Sequence, residues 1–488
     1  MEATMQGKQQ TGQKKFKVLP ILVSLLLAGF IGMFSETALN VALSDLMIIL
    51  DITPATAQWL TTAYLLTLGI LVPISGLLLQ WFTTRQLFVT AVSFSILGTF
   101  LAAMAPTFEF LLLARVVQAM GTALLLPLMF NTILVIIPPE KRGGAMGLIG
   151  LVIMVAPAIG PTIAGLLIES LSWHWIFWLS LPFLAAALIC GILFMQNVSE
   201  VTKPKIDALS IVLSSLGFGG IVYGFSSAGE EAGWESTKVI AAIAVGVIAL
   251  VLFVIRQMKM KQPMINLRAF KFPMFTVGVL MVFICMMVIL SSMLILPMYL
   301  QQGQGYTAFK AGLLLLPGGI INGLMSPIMG RLFDKYGPKW LVIPGLVIVA
   351  VTLWFFSSIT TSSTVAFIIV LHSTLMIGVS MIMMPAQTNG INQLPMQYYP
   401  DGTAIMNTLQ QVAGAIGTAL AVSIMTSGTK SYMKTVTDPA DPANAVQAFT
   451  HGVQNAFIFG MIVAIIGLVV SFFLKRVVVQ HKAQTPMH

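Results

Sequence analysis

Long stretches of apolar residues recur along the whole sequence and constrain its fold more than any other feature. Each is about 20 residues long, the length at which an α-helix crosses a hydrocarbon core of about 30 Å. We predict an all-α membrane protein with fourteen transmembrane helices, at residues 18–43, 58–80, 86–105, 110–136, 143–168, 174–195, 207–227, 237–256, 274–299, 309–330, 339–357, 364–387, 403–427 and 455–474.

The composition and the distribution of charge agree with this prediction. Of 488 residues, 57% are hydrophobic and 8% are charged, against about 25% charged residues in a soluble domain. If the N-terminus is cytoplasmic, 20 of the 25 Lys and Arg residues fall in cytoplasmic segments, and 4 fall outside. Cytoplasmic loops retain positive charge, so both termini are predicted to be cytoplasmic. The net charge of +9 is then a topological signal and gives no reason to expect nucleic acid as a partner.

A short element occurs twice and divides the chain into related halves. The pattern Pro-Ile-x-Gly-x-Leu begins at Pro73 and again at Pro327, 254 residues later. Paired halves are typical of secondary transporters, whose substrate site lies between the halves near the bilayer midplane. We predict a cytoplasmic leader at 1–17, a six-helix bundle at 18–198, two inserted helices with their linkers at 199–272, a second six-helix bundle at 273–475 and a cytoplasmic tail at 476–488.

The sequence contains no phosphate-binding loop of the ATPase type. Energy for uphill transport would therefore come from an ion gradient, without a cofactor. Cys190 and Cys285 both lie in apolar stretches and form neither a disulfide framework nor the spacing of a metal site.

Arg115, in the fourth predicted helix, is the only Lys or Arg inside a predicted span. An Arg near mid-membrane costs about 2.5 kcal/mol or more, so it should face the protein interior and a partner. Alternatively, it extends to the outer surface, about 6 to 9 Å away. Glu36 is the best candidate partner. A carboxylate in low dielectric resists ionisation and a nearby Arg favours it, so Glu36 is predicted to carry protons, although it could also be a structural, hydrogen-bonded acid.

Other polar residues in apolar stretches are candidates for lining a cavity. They are Asn40, Tyr64, Gln118, Gln301, Asn322, Asn407, Gln410 and Gln411. The 31 Met residues suit a promiscuous binding surface, because Met side chains adapt their shape. Most of them are expected simply to face lipid or core.

Several segments resemble the major facilitator superfamily, in particular its 14-spanner drug:proton antiporter family. They are LLLARVVQAMGTA, GRLFDKYGPK, QWLTTAYLLTLGILVPISGLL and GTAIMNTLQQVAGAIGTAL. The segment ETALNVAL is most similar to the lincomycin-type multidrug exporter branch of Gram-positive bacteria. The resemblance implies a major facilitator fold of two six-helix bundles plus two helices, located in the bacterial cell membrane.

From the charged and polar residues in apolar stretches, we predict that Glu36 and Arg115 couple protons and that Glu36 binds substrate together with Asn40, Tyr64, Gln118, Gln301, Asn407 and Gln411. The resemblance implies roles for further residues. An antiporter motif comprises Gly147, Pro157, Gly160, Pro161 and Gly165. The signature loop, with Gly330, Arg331, Asp334 and Lys335, and Arg85 in the other half, would control opening on the cytoplasmic side.

The sequence departs from the family pattern at several of these places. Where the family often has Asp in the first span, this chain has Ser35, and the acid is Glu36, displaced by about 100° around the helix. His174 replaces an Arg at the start of the sixth span. Gln80 and Thr83 stand where the first signature loop has Asp and Gly.

The predicted function is proton-coupled export of lipophilic drugs, cationic ones included, from the cytoplasm by a monomer that takes no metal. An alternative on the same fold is export of an endogenous metabolite or lipid, with drug efflux incidental. A membrane enzyme is disfavoured because none of the five His residues has an Asp five places on, and no Ser or Cys has an adjacent base. A purely structural scaffold would not need an Arg buried in a span.

Overall fold

The computed structural model describes residues 18–137, 142–198, 201, 207–228, 233–261, 263–395, 398–436, 438 and 441–477. Within these ranges the chain is helical and contains no strand. The fourteen α-helices are α1 (Val18–Ile49), α2 (Pro54–Trp81), α3 (Thr84–Ala103), α4 (Phe108–Ile136), α5 (Arg142–Ser170), α6 (Trp175–Phe194), α7 (Ala208–Ser227), α8 (Thr237–Lys259), α9 (Pro273–Met298), α10 (Ala308–Tyr336), α11 (Lys339–Phe356), α12 (Val365–Asn392), α13 (Tyr399–Met433) and α14 (Pro442–Ser471).

Thirteen of these helices are long and apolar enough to cross a membrane, and α5 contributes a shorter apolar stretch, Val155–Ser170. The predicted all-helical fold is therefore confirmed, and thirteen of the fourteen predicted spans meet this criterion within the described residues. A 3-10 helix, Leu267–Lys271, precedes α9, and a π-helical turn, Tyr299–Gly303, follows it.

Several helices extend beyond the predicted spans because local capping, and not hydropathy, sets their ends. The predicted start of the last span, residue 455, is wrong by thirteen residues: α14 begins at Pro442, where the Asp441 side chain accepts a hydrogen bond from the amide of Ala443. Similarly, α10 continues six residues past 330 and stops at Gly337, whose φ of 81° favours glycine. Hydropathy detects only the part of a helix inside the hydrocarbon core.

Threonine side chains begin many of the helices. Each accepts a hydrogen bond from an amide in the first turn, which would otherwise lack a partner. These residues are Thr53, Thr83, Thr107, Thr307 and Thr364.

The helices pack in two groups with a pair between them. In the first group, α1 packs on α4, α5 and α6, while α3 packs on α4 and α6. In the second, α9 packs on α12, α13 and α14, and α10 on α12. The groups meet where α5 packs on α10 and α2 on α13, and α7 lies against α2, α13 and its neighbour α8. The exact domain boundaries stay a prediction.

A buried arginine network as the candidate functional site

Close packing of α3 on α4 positions the polar residues of α4. A Cβ atom on Gly98 of α3 would lie 2.3 Å from the amide nitrogen of Gln118, and one on Gly121 of α4 would lie 2.4 Å from the carbonyl oxygen of Ala91. Only glycine permits this approach. It brings α3 within hydrogen-bonding reach of the polar face of α4.

Arg115 is completely buried in this face. Its Nη1 donates to the carbonyl oxygen of Ser35 at 3.0 Å and to Gln118 Oε1 at 2.6 Å, and its Nε donates to the carbonyl oxygen of Leu60 at 3.4 Å. Gln118 in turn donates to Thr99 Oγ1 at 2.8 Å. Arg115 therefore does not extend to the surface, and its contacts connect α1, α2, α3 and α4.

Tyr64 of α2 completes the surroundings of Arg115. The guanidinium carbon lies 4.1 Å from the centroid of the Tyr64 ring, a cation–π contact worth about 2 kcal/mol when desolvated. The Tyr64 hydroxyl donates to Thr122 Oγ1 at 2.8 Å and lies 3.3 Å from the carbonyl oxygen of Gly32. Sequence reasoning had selected Tyr64 and Gln118 but missed Thr99 and Thr122. Thr122 follows Gln118 by four positions and continues the same helical face.

Glu36 does not form the predicted direct pair with Arg115. Among the described residues, no ion pair joins the two side chains, because Arg115 uses main-chain carbonyls and Gln118. Glu36 is half-buried, and its Oε2 is buried without a hydrogen bond, as is Nη2 of Arg115. The two groups still attract each other electrostatically. An acceptor and a donor of opposite charge are thus left unsatisfied near each other, which is costly in a protein interior.

Two further predicted residues connect helices on this side of the molecule. The buried Asn40 accepts a hydrogen bond from Thr61 of α2, with 3.0 Å between the oxygens. Gln301, in the π-helical turn after α9, donates to the carbonyl oxygen of Val41 at 2.9 Å. Gln301 therefore joins the second helix group to α1.

Asn407 and Gln411 lie elsewhere, on α13. Both are half-buried. A Cβ atom on Gly69 of α2 would lie 3.9 Å from Gln411 Cβ, so Gln411 faces α2 across the boundary between the groups. The neighbouring Gln410 has a buried Nε2 without a hydrogen bond. Within the described residues, no hydrogen bond links these side chains to Arg115 or Glu36.

The predicted antiporter motif lies on α5, between α1 and α10. A Cβ atom on Gly160 would lie 2.7 Å from Thr37 Oγ1 of α1, and one on Gly165 would lie 2.4 Å from the carbonyl oxygen of Ala308. Thr162 Oγ1 donates to the carbonyl oxygen of Gly312 in α10 at 3.0 Å.

The other members of the motif add to this packing. Pro161 is buried, and its carbonyl oxygen would lie 2.4 Å from a Cβ atom on Gly312. Pro157 offers its carbonyl to Thr37 Oγ1 at 3.5 Å. Gly147 lies in α5 but outside the part whose side chains are described. The motif thus permits close contact between the two groups.

The signature loop after α10 is held by a residue that sequence reasoning missed. Arg476, which follows α14, donates to the carbonyl oxygens of Asp334 at 2.5 Å and Lys335 at 3.3 Å. The side chains of Arg331, Asp334 and Lys335 are exposed, and a Cβ atom on Gly330 would have no neighbour within 4 Å. Within the described part of the chain, the Asp334 carboxylate forms no ion pair.

Arg85, in the other half, also binds main chain. Its Nη2 donates to the carbonyl oxygen of Ile192 at the end of α6 at 2.7 Å, and its amide donates to Asn197 Oδ1 at 3.2 Å. Arg85 therefore fastens the start of α3 to the end of α6.

The described residues contain no cluster of three or more His, Cys, Asp or Glu side chains that could hold a metal ion. The arrangement around Arg115 offers charge and hydrogen-bonding capacity in a low-dielectric region.

Comparison with known proteins identifies the family of this chain. Residues 25–418 match the Major Facilitator Superfamily. The chain is 72% identical over 99% of its length to the complete lincomycin resistance protein LmrB of Bacillus subtilis, and 64% identical over 96% of its length to LmrB of Listeria monocytogenes, of which 99% is covered. It is 28% identical over 88% of its length to the multidrug export protein EmrB of Haemophilus influenzae, with 85% of that protein covered.

A solved structure shares the fold. The bacterial homologue of the human lysosomal transporter Spinster, in an inward-facing and occupied conformation, superposes with a TM-score of 0.65 at 16% identity, covering 96% of this chain and 98% of that one. The resemblance predicted from the span 4 and signature-loop motifs is confirmed. This multi-pass membrane protein therefore belongs to the Major Facilitator Superfamily, in the branch that contains the lincomycin resistance protein LmrB.

Proposed function

We propose that this protein exports lipophilic drugs, cationic ones included, from the cytoplasm in exchange for protons, by alternating access in the bacterial cell membrane. The observation that carries the proposal is the pair of buried, unsatisfied atoms, Glu36 Oε2 and Arg115 Nη2. The names of the relatives, lincomycin resistance protein and multidrug export protein, support the substrate class. Both termini are cytoplasmic in this proposal, and the monomer is the working unit.

Glu36 carries the proton. When protonated, the carboxyl group is neutral and is tolerated in a low-dielectric site. When deprotonated, the carboxylate is stabilised by Arg115 or by the positive charge of a bound drug. Drug arriving from the cytoplasm therefore favours release of the proton to the cytoplasm, and a proton arriving from outside favours release of the drug.

Hydrogen bonds and the Tyr64 contact hold the guanidinium of Arg115 in place near Glu36. Because Tyr64, Gln118 and the carbonyl oxygens of Ser35 and Leu60 fix the guanidinium, its charge stays at one distance from Glu36 as the helices move. Proton entry is driven by about 2.3 kcal/mol per charge for each 100 mV of membrane potential, together with the pH gradient.

In this proposal α13, which packs on α2, also contributes to the drug-binding surface. Asn407 and Gln411 are half-buried there and supply neutral hydrogen-bonding groups, while the abundant Met side chains supply adaptable apolar contact. Neutral polar groups together with a titratable acid suit substrates of varied shape that share a lipophilic body.

The test is transport in proteoliposomes with an imposed pH gradient. Adding a lipophilic cationic drug to the wild-type protein should release protons, and Glu36→Gln should abolish this release. Glu109→Gln removes an exposed acid from the first turn of α4 and should leave the release intact. Full drug-dependent proton release by Glu36→Gln would disprove the role of Glu36.

A further inference from the structure

The connection between α8 and α9 is a folded segment with two different faces. Its 3-10 helix, Leu267–Lys271, begins at Asn266, whose side chain accepts a hydrogen bond from the amide of Arg268 at 3.2 Å. On one face, Ile265 and Ala269 are buried. They pack in an apolar cluster formed with the start of α9 and with α13.

Polar contacts fix this segment to α8 and α13, and Gln257 of α8 connects it to α7. Gln257 of α8 is buried; it accepts hydrogen bonds from the amides of Met264 at 2.8 Å and Ile265 at 3.3 Å, and donates to Ser210 Oγ of α7 at 2.6 Å. The amide of Asn266 donates to Asp401 Oδ1 of α13 at 3.0 Å. The segment is therefore held between α8 and α13.

The other face is basic. Lys259, Lys261, Arg268 and Lys271 are all exposed, and the 3-10 helix contacts the end of α8. Phe270, between two of these residues, is 37% exposed. We call Lys259, Lys261, Arg268, Phe270 and Lys271 the basic face.

Within the described part of the chain, no acidic side chain neutralises the basic face. In the described ranges, no carboxylate forms an ion pair with any of its four cations. The nearby Asp207 is bound to Arg256, with 2.7 Å between the charged atoms, and Oδ1 of Asp401 accepts the amide of Asn266.

We propose that the basic face binds the headgroups of anionic phospholipids in the predicted cytoplasmic leaflet, with Phe270 inserted at the boundary of the acyl chains. Each basic residue close to an anionic membrane surface strengthens the attraction to that surface by about fivefold in the binding constant. The general excess of Lys and Arg in cytoplasmic loops does not explain this surface, because a loop without a folded structure would supply the same charge. Here the cations are presented by a segment fixed against α13, beside an exposed aromatic ring, as in helices that lie in a membrane interface.

Bound lipid would then act on the transporter through this segment. Because the segment also connects α8 to α9, anionic headgroups would hold the inserted helices α7 and α8 and the start of α9 at one depth in the membrane.

The experiment places a fluorophore on the basic face. Cys190 and Cys285 are replaced by Ser, Phe270 is replaced by Cys and labelled with bimane, and the full chain is reconstituted in liposomes. Quenching by brominated phosphatidylglycerol should exceed quenching by brominated phosphatidylcholine at the same mole fraction by about fivefold or more. The difference should shrink at high salt, because exposed charges are screened.

Matched variants separate this surface from general charge. Lys259→Gln, Lys261→Gln, Arg268→Gln and Lys271→Gln together should remove the preference for phosphatidylglycerol. The same change in net charge at the predicted outer lysines, Lys238→Gln, Lys310→Gln, Lys430→Gln and Lys434→Gln together, should preserve it. Equal quenching by both lipids in the chain with intact cations would overturn the proposal, even if the fourfold variant failed to fold.

Discussion

Arg115 and His372 occupy equivalent places in the two halves, with opposite surroundings. Each lies seven residues after the start of its helix, α4 or α12. The repeat offset of 254 residues relates Tyr64, which lies under Arg115, to Gly318. A Cβ atom on Gly318 would lie 2.3 Å from Nδ1 of His372. In the N-terminal half, the Tyr64 ring therefore packs against the guanidinium of Arg115. In the C-terminal half, the backbone at Gly318 packs directly against the imidazole ring of His372.

The hydrogen bonds differ in the same way. Arg115 donates to three acceptors, whereas Nδ1 of the buried His372 has no hydrogen bond. Near His372, the polar contact joins Ser380 Oγ to Asn322 Oδ1 at 2.6 Å. The two halves therefore share these helix positions, but only the N-terminal half has an arginine at this one.

At the signature loops the C-terminal half is the more charged one, the reverse of the interior positions. The second loop has the exposed charges of Arg331, Asp334 and Lys335, while the first has Gln80 and Thr83 at the family's Asp and Gly positions. Both loops are nevertheless fastened to the last helix of their own half by an arginine bound to main-chain carbonyls, Arg85 in one and Arg476 in the other. This shared contact does not depend on an acidic side chain in the loop.

The largest expected effect comes from the paired interior positions. Arg115→Leu leaves buried acceptors without a donor and should lower the free energy of unfolding by about 3 kcal/mol or more. His372→Leu removes no hydrogen bond from Nδ1 and should cost less than about 1 kcal/mol. Thermal unfolding of the purified variants in detergent measures both. Equal destabilisation by the two substitutions would contradict the claim that Arg115 contributes more to stability than His372.

A smaller effect is expected on transport from the loops. Asp334→Asn should slow turnover by up to about fivefold, the effect of losing one exposed ion pair formed in another state of the cycle. Gln80→Ala should change turnover less than twofold, since it removes no charge. Initial rates of drug efflux from cells, normalised to the amount of protein in the membrane, measure this. Equal rates for the two variants would mean that the charged loop has no special role.

The two arginine contacts should have similar, modest effects. Arg85→Ala and Arg476→Ala each remove hydrogen bonds to exposed main-chain carbonyls, so each should destabilise its loop by about 1 kcal/mol. Hydrogen exchange followed by mass spectrometry should show faster exchange near residue 192 in the first variant and near residue 335 in the second. Exchange that rises at only one of these sites would show that the fastening is not shared.

The ion pair between Asp207 and Arg256, at the two inserted helices α7 and α8, has the smallest expected effect on stability, and this effect depends on pH. Hydrogen bonds from Arg256, together with one from Ser210, lower the pKa of Asp207 from 3.8 to about 2. Because the folded-state pKa is the lower one, this contribution to stability is complete above about pH 4 and is lost as the pH falls towards 2. Wild-type protein should therefore unfold at a higher temperature than Asp207→Asn at pH 7, and the difference should narrow by pH 3. A difference that does not change with pH would mean that the ion pair contributes nothing.

The length and polarity of the apolar stretches determined the number of helices, their type and their approximate positions, because a bilayer demands about 20 apolar residues in each spanning helix. The isolated charge in α4 also determined that Arg115 would be buried against polar partners, since lipid excludes it. Helix ends such as Pro442 were out of reach, because capping depends on single residues outside the apolar run.

The partners of Arg115 were decided by the tertiary structure alone. Glu36 was the obvious acid in the sequence, yet the carbonyl oxygens of Ser35 and Leu60 take its place, since every residue carries a carbonyl and no pattern shows which one will face the guanidinium. The same holds for Arg476, which binds the loop after α10 from 142 residues away along the chain. Contacts between a side chain and distant backbone leave no periodic signal, so only the folded arrangement of the helices specifies them.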